Sequence, residues 1–233
     1  MAVESGYLQV VGTLWEWAKQ DIGVWARALG NLKLLLSEQD LDSDAALVFA
    51  LRFSAFSVFI AILVDLPPRI FFFSSPVNLM NTLGLFIVYY IDAVIAAVSS
   101  KLVATVMRSK ISLRTCFMMS LFATVYWPVV NIGNYSFLGD KQLYKLSLSL
   151  KSAHVDYAFI ADRAAQLVTM TIFSAFIITF ILAGLIPATK YLFKVGNVRA
   201  TTIVVGTYVL GSLAQVTLLS PLWLAIFKME YGE

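Results

Sequence analysis

The stretch from Leu79 to Pro128 constrains this chain more than any other part of it. It contains two apolar runs, Leu79–Met107 and Leu113–Val130, which are separated by the short basic connector Arg108-Ser109-Lys110. A helix needs about 20 predominantly apolar residues to cross a bilayer, and both runs approach or exceed that length. Two such helices joined by a tight turn are typical of a membrane hairpin. We therefore expect the rest of the chain to be arranged around a pair of antiparallel spans.

The composition also indicates a membrane protein. The 233 residues are 60% hydrophobic and 13% charged, whereas soluble domains carry about 25% charged residues. Cys116 is the only cysteine and His154 the only histidine, which excludes an intramolecular disulfide and a Cys/His metal cluster. No phosphate-binding glycine loop or catalytic motif is present, and the net charge of +3 is too small to indicate nucleic-acid binding. We expect no enzymatic activity, no metal or other cofactor, and no nucleic-acid partner.

Hydropathy and helix-breaking residues predict an all-α polytopic protein with about five transmembrane helices. The predicted membrane domain covers residues 45–233, with spans at residues 45–66, 78–107, 113–133, 164–185 and 201–227. Because proline removes a backbone donor, Pro67-Pro68 and Pro187 are expected to end spans 1 and 4, and Pro128 is expected to kink span 3. The loop 134–163 is expected to lie outside. Its alternating stretch Tyr144–Lys151 fits either a half-buried strand or an amphipathic helix, and the sequence leaves both open.

Residues 1–44 form a separate segment before the first span. Its apolar residues recur at helical spacing, at Leu14, Trp17, Trp25, Ala28, Leu29, Leu32 and Leu36. Tryptophans and basic residues around an apolar stripe favour an amphipathic helix that lies in the headgroup layer. The alternative is an ordinary surface helix packed on the membrane domain. The acidic stretch Ser37–Asp44 ends the segment and supplies a cap for the first span.

The basic residues orient the chain in the membrane. The two inner connectors and their flanks carry Arg108, Lys110, Arg114, Lys190, Lys194 and Arg199. Because short cytoplasmic loops are enriched in lysine and arginine, we place both connectors and the N-terminus in the cytoplasm and the C-terminus outside. Ten of the 17 lysines and arginines then lie inside, six lie outside, and Arg52 lies within span 1.

Two ionisable residues fall inside the predicted spans. Arg52 lies two turns into span 1, and Asp92 lies near the middle of span 2. Because a charge in hydrocarbon costs about 2.5–3.5 kcal/mol on insertion scales, we expect the two side chains to pair. The pair could bind an ion or a headgroup or relay a proton, or it could serve only to fix helix packing. The amides that could bond between helices in a packing role are Asn131, Gln166 and Gln215.

The segments that flank the two basic connectors occur in a recognisable order. Lys101–Ala104 leads through the connector Lys110–Thr115 to the end Ala123–Pro128, and Leu185–Ala200 precedes the last span with Lys194-Val195-Gly196-Asn197-Val198-Arg199-Ala200. These elements resemble the YIP family of five-span membrane proteins, which is known in eukaryotes for interacting with Rab GTPases and has relatives in bacteria. The Asp-Leu-Tyr-Gly-Pro element of the eukaryotic members is absent. The resemblance therefore implies a bacterial-type relative in the inner (plasma) membrane.

The sequence supports two functional hypotheses. The first is a non-enzymatic protein of YIP type, which acts as a scaffold or as a partner- or lipid-binding subunit of a membrane assembly. Its contacts would be the lipid bilayer and either a protein partner or a second copy of the chain. The second is a small transporter, channel or lipid-handling subunit in which Arg52, Asp92 and the Pro128 bend border a polar pathway.

Overall fold

A computed structural model of the protein describes residues 19–40, 43–72, 79–135, 164–219 and 221. Its regular elements are helical, and no strand occurs within these ranges. Residues 19–30 form α1, and the later helices are α2 (Leu32–Ser37), α3 (Asp44–Phe72), α4 (Leu79–Val106), α5 (Leu113–Ala123), α6 (Trp127–Tyr135), α7 (Ala164–Phe193) and α8 (Asn197–Ala214). A 3₁₀ turn, Thr124–Tyr126, joins α5 to α6, and a π-helical segment, Gln215–Leu219, continues α8. The prediction for Tyr144–Lys151 lies outside the described residues.

Five helical segments in the described part of the chain are long and apolar enough to cross a membrane. They are Asp44–Val64, Phe86–Val106, Leu113–Ile132, Thr171–Phe193 and Asn197–Leu218. Each falls on one of the five predicted spans, in the predicted order. The all-helical fold class with five spans is therefore confirmed, and the protein is an integral membrane protein.

Three prolines do not end the helices that contain them, so this part of the prediction was wrong. Helix α3 continues through Pro67 and Pro68 to Phe72, and α7 continues through Pro187 to Phe193. In hydrocarbon no water replaces lost backbone hydrogen bonds, so a helix that omits one bond is favoured over a helix that stops. Because α7 is longer than predicted, the connector to the last span shrinks to residues 194–196.

Pro128 lies where span 3 changes its hydrogen-bond pattern. Its nitrogen cannot donate to the carbonyl of Thr124, four residues earlier. The Trp127 N–H donates to that carbonyl instead, which closes the tighter 3₁₀ turn between α5 and α6. Pro128 itself is buried. Span 3 therefore consists of two α-helices on either side of a 3₁₀ turn, at the position where the kink was expected.

Helices α4 and α7 each end in a backbone turn of the same type. In each turn a basic residue has left-handed backbone angles. The φ angle is 56° at Arg108 and 50° at Lys194. Ser109 N–H donates to the carbonyl of Ala104 at 2.8 Å, and Val195 N–H donates to that of Lys190 at 3.3 Å. These bonds define the Schellman motif, which usually places glycine where these two cations lie. Both connectors are therefore short and conformationally fixed.

The left-handed backbone at Arg108 leads to a first prediction. A side chain there costs about 1 kcal/mol relative to glycine. We expect Arg108→Gly to be more stable than Arg108→Ala by about that amount, as measured by thermal unfolding in one detergent. Lys110, in the same connector, has no positive φ, so Lys110→Gly should gain nothing over Lys110→Ala. Equal unfolding midpoints for the two Arg108 variants would show that this turn carries no strain.

The main apolar core packs the first turns of α3 against the second half of α5, the 3₁₀ turn that follows it and the C-terminal half of α7. Phe122 of α5 lies near Phe53 and Phe49 of α3, with ring centroids 5.5 and 6.0 Å apart. The segment before the spans completes this core with the fully buried residues Ala28, Leu32 and Leu36. Part of the predicted apolar stripe therefore packs on the membrane domain, as the alternative interpretation of that segment requires.

The segment before the spans is divided into two helices in the described structure. Asn31 separates α1 from α2, and its Oδ1 accepts a hydrogen bond from Leu34 N–H at 3.1 Å. This side chain caps α2, because it satisfies one of the amides that a helix start leaves without a partner. The predicted stripe residues Leu14 and Trp17 lie outside the described residues. Placement in the headgroup layer stays a prediction.

Candidate functional site

Arg52 is neutralised by a carboxylate from outside the five spans. Its Nη2 donates to Oδ1 of Asp21 in α1 at 2.7 Å, and the two side chains are 37% and 18% exposed. The sequence did contain a signal for this contact, because Asp21 lies four residues after Trp17 and four before Trp25. It therefore lies on the face of the apolar stripe, where a carboxylate needs a partner.

Asp92 has a different partner. Its Oδ1 accepts a hydrogen bond from Nε2 of Gln215, the first residue of the π-helical segment. The structure does not bring Asp92 and Arg52 together, so the predicted pair was wrong. Arg52 lies eight residues from the start of α3 and Asp92 lies 14 residues from the end of α4, at depths of about 12 and about 21 Å. In addition, α4 packs mainly on α5 and α8.

The Asp92–Gln215 contact leads to a second prediction. Gln215→Leu should destabilise the protein by about 1–2 kcal/mol, because Asp92 then loses its donor inside a span. Asp92→Asn should cost less, since the asparagine oxygen still accepts from Gln215 and carries no charge. Thermal unfolding of Asp92→Leu, of Gln215→Leu and of the Asp92→Leu/Gln215→Leu double variant measures the coupling. If the losses of the single variants simply add, the two residues do not interact.

Asn131 connects three helices. It is buried, and its Nδ2 donates to the carbonyl of Ala61 in α3 at 3.2 Å and to the hydroxyl of Tyr89 in α4 at 2.8 Å. The Tyr89 ring stacks on Trp127 of α6, with centroids 4.6 Å apart. The predicted hydrogen bonding between helices is thus confirmed for Asn131 and Gln215. The side chain of Gln166 lies outside the described part of the chain.

A close contact between α7 and the 3₁₀ turn was not predicted. The Tyr126 side chain is 2% exposed, and its ring meets the edge of Phe180 at a centroid distance of 5.9 Å. A Cβ atom on Gly184 would lie 1.7 Å from the Tyr126 hydroxyl oxygen and 2.7 Å from Cζ. The absence of a side chain at Gly184 therefore creates the space that the tyrosine fills. The sequence shows small residues in the spans, but not which of them faces a large neighbour.

Five cations form what we call the basic face, at the end of the bundle that carries the connectors. All five are exposed, and they are Arg108, Lys110, Lys190, Lys194 and Arg199. Beneath them the two connectors share one apolar cluster, to which Ile111 contributes from the first and Phe193 and Val195 from the second. Residues 107–112 and 189–200 contain no acidic residue. Within these two ranges the basic face therefore carries only positive charge, on connectors whose backbone is fixed.

Arg114, the sixth predicted connector cation, has a structural role. Its Nη2 donates to the carbonyl of Ser43 at 2.8 Å and to Oδ1 of Asp44 at 3.0 Å. The side chain therefore ties the start of α5 to the start of α3. Lys101 joins α4 to the residue that follows the first connector, because its Nζ donates to the carbonyl of Ile111. These two contacts hold the first connector against the bundle.

The arrangement separates polar groups that pack helices from those that can bind a ligand. Arg52, Asp92 and Asn131 are each engaged by a neighbouring helix. The cations of the basic face point away from the bundle, and lysine and arginine side chains bind phosphate and carboxylate groups. Comparison of the chain with protein-family models, with curated proteins and with solved structures finds no match.

Proposed function

We propose that this protein is a non-enzymatic scaffold of YIP type, which binds a further component of a membrane assembly at its basic face. The observation that carries the proposal is the fixed pair of connectors, which together with the adjoining helix ends present five exposed cations over one apolar cluster. Side chains on a fixed backbone lose less freedom on binding than side chains on a mobile loop. The component is a protein partner, a second copy of the chain or a lipid.

The orientation belongs to the same proposal. Both connectors are short and basic, which favours the cytoplasmic side of a bacterial inner membrane, with the N-terminus inside and the C-terminus outside. Helix α2 packs against α7, and the core that contains α1 and α2 lies at the end where α3 begins. The segment before the spans and the basic face therefore belong to the same cytoplasmic surface in this proposal.

Co-purification from gently solubilised native membranes tests the scaffold. The wild-type protein should carry a protein or lipid at a constant ratio to the chain, identified by mass spectrometry. The variant Lys110→Gln/Lys194→Gln removes two charges from the basic face and should lose that component. Arg27→Gln/Lys33→Gln removes two exposed charges from α1 and α2 and serves as the matched control. A component retained equally by both variants would contradict a role for the basic face.

A small transporter or channel is the second candidate, and Asp92 is the observation that favours it. Ionisable residues in membrane spans often mark ion pathways, and π-helical segments such as the one that begins at Gln215 are frequent at functional sites. Arg52 no longer supports this candidate, because it binds Asp21. In sealed proteoliposomes loaded with a pH-sensitive dye, Asp92→Asn should slow proton leakage if Asp92 lines a pathway. Equal leakage for the variant and the wild type would count against proton conduction.

A further inference from the structure

The basic face continues into a stripe of apolar side chains along α4. Val94, Val98, Leu102 and Val106 follow one another at helical spacing and are 48, 45, 57 and 81% exposed. The stripe extends from Val94 to Val106, a rise of about 18 Å, and ends two residues before Arg108. On either side of the other connector, Tyr191 near the end of α7 and Val198 in the first turn of α8 are also exposed. Exposed apolar side chains therefore adjoin the cations at the end of α4, at the end of α7 and at the start of α8.

This combination distinguishes among the possible partners of the scaffold. An acidic protein would match the cations alone and would make no use of the apolar stripe, which bilayer lipid would then cover. A phospholipid has both parts, because its phosphate can meet the basic face while an acyl chain lies along α4. Basic pockets between spans on the cytoplasmic side are known binding sites for lipids with several negative charges.

We propose that the basic face binds an anionic phospholipid whose headgroup carries two phosphates, and that one of its acyl chains lies along the stripe of α4. This inference rests on the proposed scaffold function and names its ligand. One phosphate meets Arg108 and Lys110 on the first connector, and the other meets Lys194 on the second connector and Lys190 and Arg199 on the helix ends beside it. A headgroup with a single phosphate satisfies only one of the two groups of cations.

Native mass spectrometry of the purified full-length protein tests the proposal. The protein is delipidated and exposed in turn to phosphatidylcholine, phosphatidylglycerol and diphosphatidylglycerol. We expect diphosphatidylglycerol to be retained about tenfold more than the other two, because a second group of cations adds to the attraction. Lys110→Gln/Lys194→Gln should lose that preference, since each cation near a membrane surface contributes separately to the attraction. Arg27→Gln/Lys33→Gln, with the same change in net charge, should keep it.

Three results would overturn the proposal. They are equal retention of the three lipids, equal retention of the two anionic lipids, and equal loss of the preference in both double variants. The results also distinguish failure of the lipid proposal from failure of the proposed scaffold function. If the wild-type protein shows no lipid preference but Lys110→Gln/Lys194→Gln still releases its native partner, only the lipid proposal is overturned. If neither lipid nor partner responds to this variant, the scaffold role of the basic face is overturned as well.

Discussion

Gly184→Ala should destabilise the membrane domain by about 3 kcal/mol, at the upper end of the usual cost of overpacking. The new Cβ atom would lie 1.7 Å from the Tyr126 hydroxyl oxygen, far inside van der Waals contact. The tyrosine ring cannot turn aside easily, because it is almost fully buried and Phe180 lies against it. Either α7 must move away from the 3₁₀ turn or the ring must leave the core. Thermal unfolding in detergent measures the loss.

Two further variants separate this clash from a general effect of changing a glycine in a span. Gly211 lies in α8, and a Cβ atom there would meet nothing within 4 Å, so Gly211→Ala should leave stability unchanged or raise it slightly. Tyr126→Leu removes the ring that Gly184 accommodates, so Gly184→Ala should cost much less in that background. Similar unfolding midpoints for Gly184→Ala and Gly211→Ala would rule out the close contact.

Asp21→Ala should destabilise the protein by about 2 kcal/mol. Breaking a fully buried ion pair costs about 3–5 kcal/mol, and this value is reduced here because the Arg52 side chain is 37% exposed. The change leaves the arginine charge less compensated within a span. It also removes the polar contact between α1 and α3, so limited proteolysis should cut residues 19–40 faster than in the wild-type protein.

Arg52→Leu gives the control for this pair, because it removes the charge instead of exposing it. We expect Arg52→Leu to cost less than Asp21→Ala, and the Asp21→Ala/Arg52→Leu double variant to be close to Arg52→Leu alone. The double-mutant cycle then gives the coupling between α1 and α3. A coupling near zero, together with an unchanged rate of proteolysis, would mean that the ion pair does not hold α1 on the bundle.

The spans could be predicted from sequence because the bilayer fixes the length and polarity of each crossing. Helix α4, at Leu79–Val106, lies within one residue of the predicted span at each end. Helix ends at prolines were less predictable. The rule that proline stops a helix comes from water, where other hydrogen bonds are available, and Pro187 lies in a segment where they are not.

The partners of the polar residues could not be predicted from the order of the spans alone. The Arg52–Asp92 prediction requires spans 1 and 2 to pack side by side, whereas α4 packs mainly on α5 and α8 and touches α3 little. The partner of Arg52 is Asp21, which belongs to residues 1–44, the segment that we expected to be separate from the membrane domain. The contact of Tyr126 with Gly184 depends on the rotation of two helices, which composition does not determine. The basic connectors could be identified, because their charges lie in short loops.

A common cytoplasmic face for the two connectors is tested most directly by cysteine accessibility in intact cells. The native thiol is buried and can be removed by Cys116→Ser. In that background, Lys110→Cys and Gly196→Cys each place one exposed thiol in a connector, and Ser149→Cys marks the loop 134–163. A membrane-impermeant maleimide should label Ser149→Cys in intact cells and label the other two only after the membrane is opened. Labelling of either connector from outside would contradict the orientation on which the proposed function depends.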